Sequence, residues 1–126
     1  MEIINAPSLA NCDFLNFRDQ IFQLVDGGCQ WFHIDIMDGH YVPNLCFPVR
    51  LVKELKQTFP AIQMDVHLMV QEPIRYVKDF AQAGADIITV HLEACSDVGN
   101  TLREIKACGK KTGLSICPQT EAEELL

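Results

Sequence analysis

No Cys-x-x-Cys pair occurs in this sequence, although it carries six cysteines, Cys12, Cys29, Cys46, Cys95, Cys108 and Cys117. That excludes a zinc ribbon and a thioredoxin-like redox pair. A disulfide framework is possible by count, but a chain that is 48% hydrophobic does not need one, and free cysteine packs well in cores. All six are therefore expected to be unpaired structural residues. Clusters of Lys or Arg are also missing, and the net charge is −7, which argues against nucleic acid or an anionic membrane as the main partner. No apolar run approaches the ~18 residues of a membrane-spanning helix. The opening residues, Met1 to Asn5, do not read as a signal peptide, so a cytoplasmic protein is the expectation. No Gly-x-Gly-x-x-Gly follows the first expected strand, which weakens a dinucleotide-binding reading. The length of 126 residues bounds the chain at one domain.

What is present is organised around residues 31–44. An apolar run begins at Trp31 and breaks into Gly39, Pro43 and Asn44, the pattern of a buried strand followed by a loop. Side chains alternate along a strand, so His33, Asp35 and Met37 share one face while Phe32, Ile34 and Ile36 share the other. An imidazole and a carboxylate in an apolar strand cost free energy unless something satisfies them. Residues 64–69 repeat the oddity, with Asp65 and His67 on one face. Two strands bearing His and Asp suggest one shared polar site, and a metal ion is the simplest group that would satisfy it.

Taken in order, the pattern predicts strands over 3–8, 31–37, 62–69, 87–91 and 112–117. Between them lie helical spacings. Asp13 is the expected N-cap of the first helix, with Phe14, Phe17, Ile21, Phe22, Leu24 and Val25 inward and Gly27–Gly28 as its stop. Pro48 suits the first position of the second helix, whose apolar face is Val49, Leu51, Val52 and Leu55. Glu72–Pro73 opens the third, which turns Ile74, Val77, Phe80 and Ala81 inward and closes at Gly84. Leu102 and Ile105 mark the fourth, closed by Gly109, and residues 121–126 look like the start of a fifth. Residues 38–47 are expected to be a long loop.

Strand and helix alternate in units of roughly 25 residues, which predicts an α/β fold with a parallel sheet. An open doubly wound sheet and a closed barrel compete. The polar residues collect towards the C-terminal ends of several strands, which suits the (β/α)8 TIM barrel, where active sites gather at that end. A complete barrel has eight units and ~250 residues. About four and a half units are present here, so the expectation is the N-terminal part of a longer enzyme, with apolar edges at 3–8 and 112–117 that invite pairing.

With these motifs in place the chain resembles the ribulose-phosphate 3-epimerase family. The likeness is carried by residues 33–44 and 65–69, and by Ala6-Pro7-Ser8-Leu9, Ala83-Gly84-Ala85-Asp86 and His91-Leu92-Glu93-Ala94, in the family's order and spacing. It implies a ribulose-phosphate-binding (β/α)8 barrel that interconverts D-ribulose 5-phosphate and D-xylulose 5-phosphate with a divalent metal, zinc, iron or manganese. Residue by residue it implies His33, Asp35 and His67 as metal ligands, Asp35 as one of two catalytic carboxylates, and Ser8 and His67 as substrate contacts. Met37 and Met69 would form an apolar wall. The family's fourth ligand and second carboxylate, an aspartate on the seventh strand, is not among these residues, nor are its Gly-rich phosphate loops. Residues 6–14 depart from the family's usual Ser-Pro-Ser-Ile-Leu-Ser-Ala-Asp-Phe. With residues 32–36 and Asn44–Leu45, they lean towards the sister allulose-6-phosphate 3-epimerases.

Those residue types suit that chemistry. Removing a proton beside a ketone leaves negative charge on oxygen, which a divalent cation stabilises. Imidazoles with a carboxylate select zinc, iron or manganese over magnesium or calcium. Inversion needs an acid and a base on opposite faces of the carbon. Asp65 is expected to orient an imidazole, His91 and Glu93 to support the site, and His40 to be solvated. A homo-oligomer acting on a sugar phosphate is the expected assembly. Two competitors are a non-catalytic half-barrel assembly module and a related phosphate-binding barrel with decarboxylase or aldol chemistry.

Overall fold

The computed structural model describes residues 1–126. Five strands form one sheet in the order β2-β1-β3-β4-β5. They are β1 (Trp31–Asp38), β2 (Leu45–Cys46), β3 (Gln63–Met69), β4 (Ile87–His91) and β5 (Lys111–Ser115). β1, β3, β4 and β5 run parallel, and β2 folds back antiparallel against the end of β1. The helices α1 (Phe17–Asp26), α2 (Val49–Thr58), α3 (Val77–Ala83) and α4 (Val98–Ala107) supply the crossovers. Parallel strands joined in sequence by right-handed crossovers place every helix on one side. That is the winding of a (β/α)8 barrel and not of a doubly wound sheet, whose strand order reverses.

Alternation along the strands decides which face does what. Phe32, Ile34, Met64, Val66 and Leu68 are completely buried, and they pack with Val52, Val77, Phe80 and Ile105 from the helices. Their neighbours in sequence, His33, Asp35, Asp65 and His67, are only half-buried and lie on the opposite face. Burying the apolar rows therefore drives the polar row to the concave side. No helix is long and apolar enough to cross a membrane.

Several expected elements differ. Residues 3–8 do not form a strand: only Ser8 bridges to His33, and the His33 N–H donates to the Pro7 carbonyl at 3.0 Å. β3 occupies one edge of β1 along its length, so Ser8 and β2 share the other, and Pro7 has no N–H to extend the ladder. Within the expected loop, Leu45 and Cys46 pair with Asp38 and Met37. Asp13 caps a short 3-10 turn, Phe14–Asn16, by accepting from the Leu15 N–H at 3.0 Å, and α1 starts after it. Phe14 and Phe22 are exposed rather than inward, and Phe14 meets Phe17 edge-to-face and Phe47 at a tilt. Pro48 sits at the N-cap of α2, one position earlier than expected. Residues at the end form only the 3-10 turn Ala122–Leu125.

At the end of the sheet remote from the polar row, Lys56 ties α2 to β3 and β4. Its Nζ donates to the Ile62 carbonyl at 3.0 Å and to Asp86 Oδ2 at 2.9 Å, and the same oxygen accepts the Met64 N–H at 2.8 Å. Gly84 makes room for that side chain. Its φ is +115°, and an added Cβ would lie 2.5 Å from Lys56 Cγ. Gly28 has φ +90° with open space around it. Gly84→Ala is expected to lower the unfolding free energy by about 2–4 kcal/mol, against about 1–2 kcal/mol for Gly28→Ala. Urea unfolding of the two variants checks this, and equal losses would mean that Lys56 moves aside freely.

Candidate metal centre

The register between β1 and β3 builds the site. It sets Asp35 beside His67 and His33 beside Asp65. Four polar side chains thereby form a square on the concave face. His33 Nε2 and His67 Nδ1 each lie 3.0 Å from the same oxygen, Asp35 Oδ1. The other oxygen, Oδ2, accepts the Ser8 hydroxyl at 2.6 Å. The single bridge between Ser8 and β1 is what holds that hydroxyl in place. His33 Nδ1 lies 2.8 Å from Asp65 Oδ2. Asp65 thus orients an imidazole as expected, and the imidazole it touches is His33, across the register. Met37 and Met69 are register partners two residues further along and share the face.

The electrostatics follow from these contacts. Hydrogen bonds from His33 and then His67 hold the Asp35 carboxyl well below the usual carboxylate range, against the opposing effect of burial. Hydrogen bonds to Asp35 and then Asp65 raise the His33 imidazole to about 10, again against burial.

The donor set fits a divalent cation. Asp65 fixes the proton of neutral His33 on Nδ1, so Nε2 points a lone pair at the ionised Asp35 oxygen. Two electron-rich atoms at that distance repel unless positive charge lies between them. In the metal-free chain a second proton on His33 serves. A cation would serve equally, and the ligating atoms of His33, Asp35 and His67 all lie within 4.8 Å of one another. Two imidazoles with one carboxylate match zinc, iron or manganese, and Asp65 behind His33 supplies the outer hydrogen bond such ligands usually have.

A second cluster adjoins the first. His67 Nε2 lies 2.7 Å from His91 Nε2, and the two rings stack with centroids 4.9 Å apart. The Tyr41 hydroxyl donates to Glu93 Oε2 at 3.0 Å and lies 2.9 Å from Cys117 Sγ. Glu93 Oε1 accepts from the Thr120 hydroxyl and the Cys117 N–H. Burial pushes the Glu93 carboxyl up, but the bonds from Thr120 and the Cys117 N–H bring it down to about 2. Asp38 places Tyr41 here by accepting the Tyr41 N–H at 2.9 Å. His91 and Glu93 were expected to support the site. Tyr41 and Cys117 were not foreseen, because nothing local marks them: they meet only through the pairing of β4 with β5 and the folding of the loop after β1. His40 is exposed, as expected, and all six cysteines are unpaired.

A single-wound arc of parallel strands, carrying an imidazole–carboxylate cluster at the C-terminal strand ends, defines a (β/α)8-barrel protein with a candidate metal centre. Comparison with known proteins narrows the class. The profile described as "Ribulose-phosphate 3 epimerase family" matches residues 4–126, and the chain belongs to that family. It is 42% identical over 120 residues to a ribulose-phosphate 3-epimerase of Rhodobacter capsulatus, covering 95% of this chain and 52% of that protein. The corresponding enzyme of Bacillus subtilis is 41% identical over 118 residues, covering 94% and 54%. A chloroplastic ribulose-5-phosphate-3-epimerase of Arabidopsis thaliana is 38% identical over 121 residues, covering 94% and 43%. The chain spans about half the length of the curated relatives it matches. Among solved structures, Yersinia pestis DHPS bound to a pterine-sulfa conjugate superposes with a TM-score of 0.59 at 14% identity, over 97% of this chain and 46% of that one. That likeness bears on the fold alone.

Because a cation and the extra proton on His33 compete for one place, metal binding is expected to tighten as pH rises from 6.5 towards 10. The sign for metal-free stability is opposite. A raised imidazole pKa stabilises the fold fully below 6.5, and that contribution is lost as pH climbs to about 10. Wild type should therefore be more stable than His33→Gln at pH 6 without metal, with the difference shrinking by pH 10. Thermal unfolding with chelator at the two pH values checks this, and a difference that grows with pH would contradict it.

Proposed function

We propose that the 126 residues are the N-terminal part of a ribulose-phosphate-binding barrel, and that the protein is a metal-dependent 3-epimerase interconverting D-ribulose 5-phosphate and D-xylulose 5-phosphate. The observation that carries this reading is the convergence of Ser8, His33 and His67 on one carboxylate, Asp35. In this reading His33, Asp35 and His67 hold zinc, iron or manganese, and Ser8 and His67 contact the substrate. When bound, such an ion supplies Lewis-acid stabilisation to negative charge on the substrate's oxygens.

Asp35 is the base on one side of the reacting carbon. Its hydrogen bonds keep it ionised, so it meets the substrate without a proton. It takes the proton from C3, and the electron pair of that bond moves onto the ketone oxygen to give an enediolate. The Ser8 hydroxyl and the His67 ring steady the carboxylate and the sugar through the transfer. Met37 and Met69 exclude water from the reacting carbons. Inversion then requires a proton delivered to the opposite face by a second carboxylate, which the family resemblance puts on the seventh strand and so outside these residues. The names carried by the relatives favour the pentose phosphate over allulose 6-phosphate as substrate.

On this account the purified 126-residue chain forms no xylulose 5-phosphate from ribulose 5-phosphate, because one carboxylate can only return the proton to the face it came from. Combining it with the remaining barrel units of the Rhodobacter capsulatus relative should restore turnover, and Asp35→Asn should cut the restored rate by about 10²–10⁴. A coupled assay for xylulose 5-phosphate reads both. Turnover by the chain alone, or a restored rate indifferent to Asp35→Asn, would overturn the assignment.

A further inference from the structure

His91 has one nitrogen with a partner and one without. It is 8% exposed, and its Nδ1 is buried with no hydrogen-bond partner. Which species that nitrogen presents follows from its neighbours. With its proton on Nδ1, His67 faces the Asp35 oxygen 3.0 Å away. His67 Nε2 must then accept, so His91 Nε2 donates across the 2.7 Å contact. The remaining nitrogen, His91 Nδ1, is left with a bare lone pair in a buried place, an arrangement that costs free energy while nothing answers it.

What faces that lone pair is also electron-rich. Glu93 Oε2 lies 3.7 Å away. Thr120 and the Cys117 N–H occupy Glu93 Oε1, so Oε2, which accepts from Tyr41, is the oxygen on the His91 side of this exposed residue. Cys117 Sγ completes the group, and the three ligating atoms lie within 4.8 Å of one another. A nitrogen lone pair, a carboxylate and a thiol converging on one point call for positive charge. The mixture of donors selects which kind: sulfur excludes magnesium and calcium, and one sulfur, one nitrogen and one oxygen are donor types that a zinc-class ion accepts.

We propose that His91, Glu93 and Cys117 form a second cation site, distinct from the His33–Asp35–His67 cluster, that takes a thiophilic divalent ion of the zinc class. The Cys117 thiol gives its proton to solvent as the sulfur–metal bond forms, with no change of oxidation state. The Tyr41 hydroxyl is now hydrogen-bonded to both Glu93 Oε2 and Cys117 Sγ and would give up those two contacts to the ion. The site needs no ion at the first centre, so it stands whether or not the epimerase reading does. The two centres nevertheless share the His67–His91 contact. Ligation at one centre is therefore felt at the other through that 2.7 Å contact.

Cobalt(II) titration of the 126-residue chain tests the proposal, because thiolate ligation gives a sulfur-to-cobalt charge-transfer band that nitrogen and oxygen ligands do not. The band should appear in wild type, persist or bind more tightly in His33→Ala, and vanish in Cys117→Ser. Zinc should also slow alkylation of Cys117 by iodoacetamide at least about tenfold in the wild-type chain, read by peptide mass spectrometry, which needs no variant to fold. No charge-transfer band in either wild type or His33→Ala, an undiminished band in Cys117→Ser, or Cys117 alkylated equally fast with and without zinc would overturn the site.

Discussion

Asp35 meets His67 because β1 and β3 lie side by side, parallel and in one particular register. The pairing is enforced from the other face. Phe32 and Ile34 on β1 and Met64, Val66 and Leu68 on β3 are removed from water under the helices, each worth about 1.5–3 kcal/mol relative to exposure. A slip of one residue would carry every one of them to the concave side and put the imidazoles and carboxylates into the apolar layer. The energetics of the core and the geometry of the polar cluster are therefore one constraint seen from two faces. The cluster costs free energy to assemble, and the core is large enough to impose it.

Charge balance within the cluster follows from that placement. Two carboxylates, Asp35 and Asp65, bracket His33, and Asp35 also takes His67 and Ser8. Negative charge is in excess, so the site attracts either protons or a metal ion. The chain of contacts does not stop at His67. It runs through the stacked His91 to Glu93, Tyr41 and Cys117, so that the ends of β1, β3 and β4 and the loop after β5 share one polar network. A sheet face that would be an ordinary apolar floor in a structural protein is here polar across three adjacent strands.

Much of this was legible in the sequence because it depends on spacing within a strand. The alternation of Phe32, Ile34 and Ile36 with His33 and Asp35 fixes which residues share a face before any contact is known. The same holds for Asp65 and His67. The parts that were not legible depend on pairing. The expected strand over residues 3–8 shrinks to the Ser8 bridge because Pro7 has no N–H to extend the ladder, and β2, only two residues long, adds at the far end of the same edge. Tyr41 and Cys117 are separated by 76 positions and touch through a loop pinned by Asp38. No local pattern marks either. Asp65 was readable as an orienting carboxylate, but its partner, His33, is named only by the β1–β3 register.

The cation position proposed between His33, Asp35 and His67 is open to direct observation. A crystal grown with one equivalent of manganese, an ion that favours nitrogen and oxygen over sulfur, and measured for anomalous scattering, addresses it directly. One strong anomalous peak is expected within bonding distance of His33 Nε2, Asp35 Oδ1 and His67 Nδ1. A peak elsewhere, or none near these atoms at full occupancy of the added metal, would contradict it.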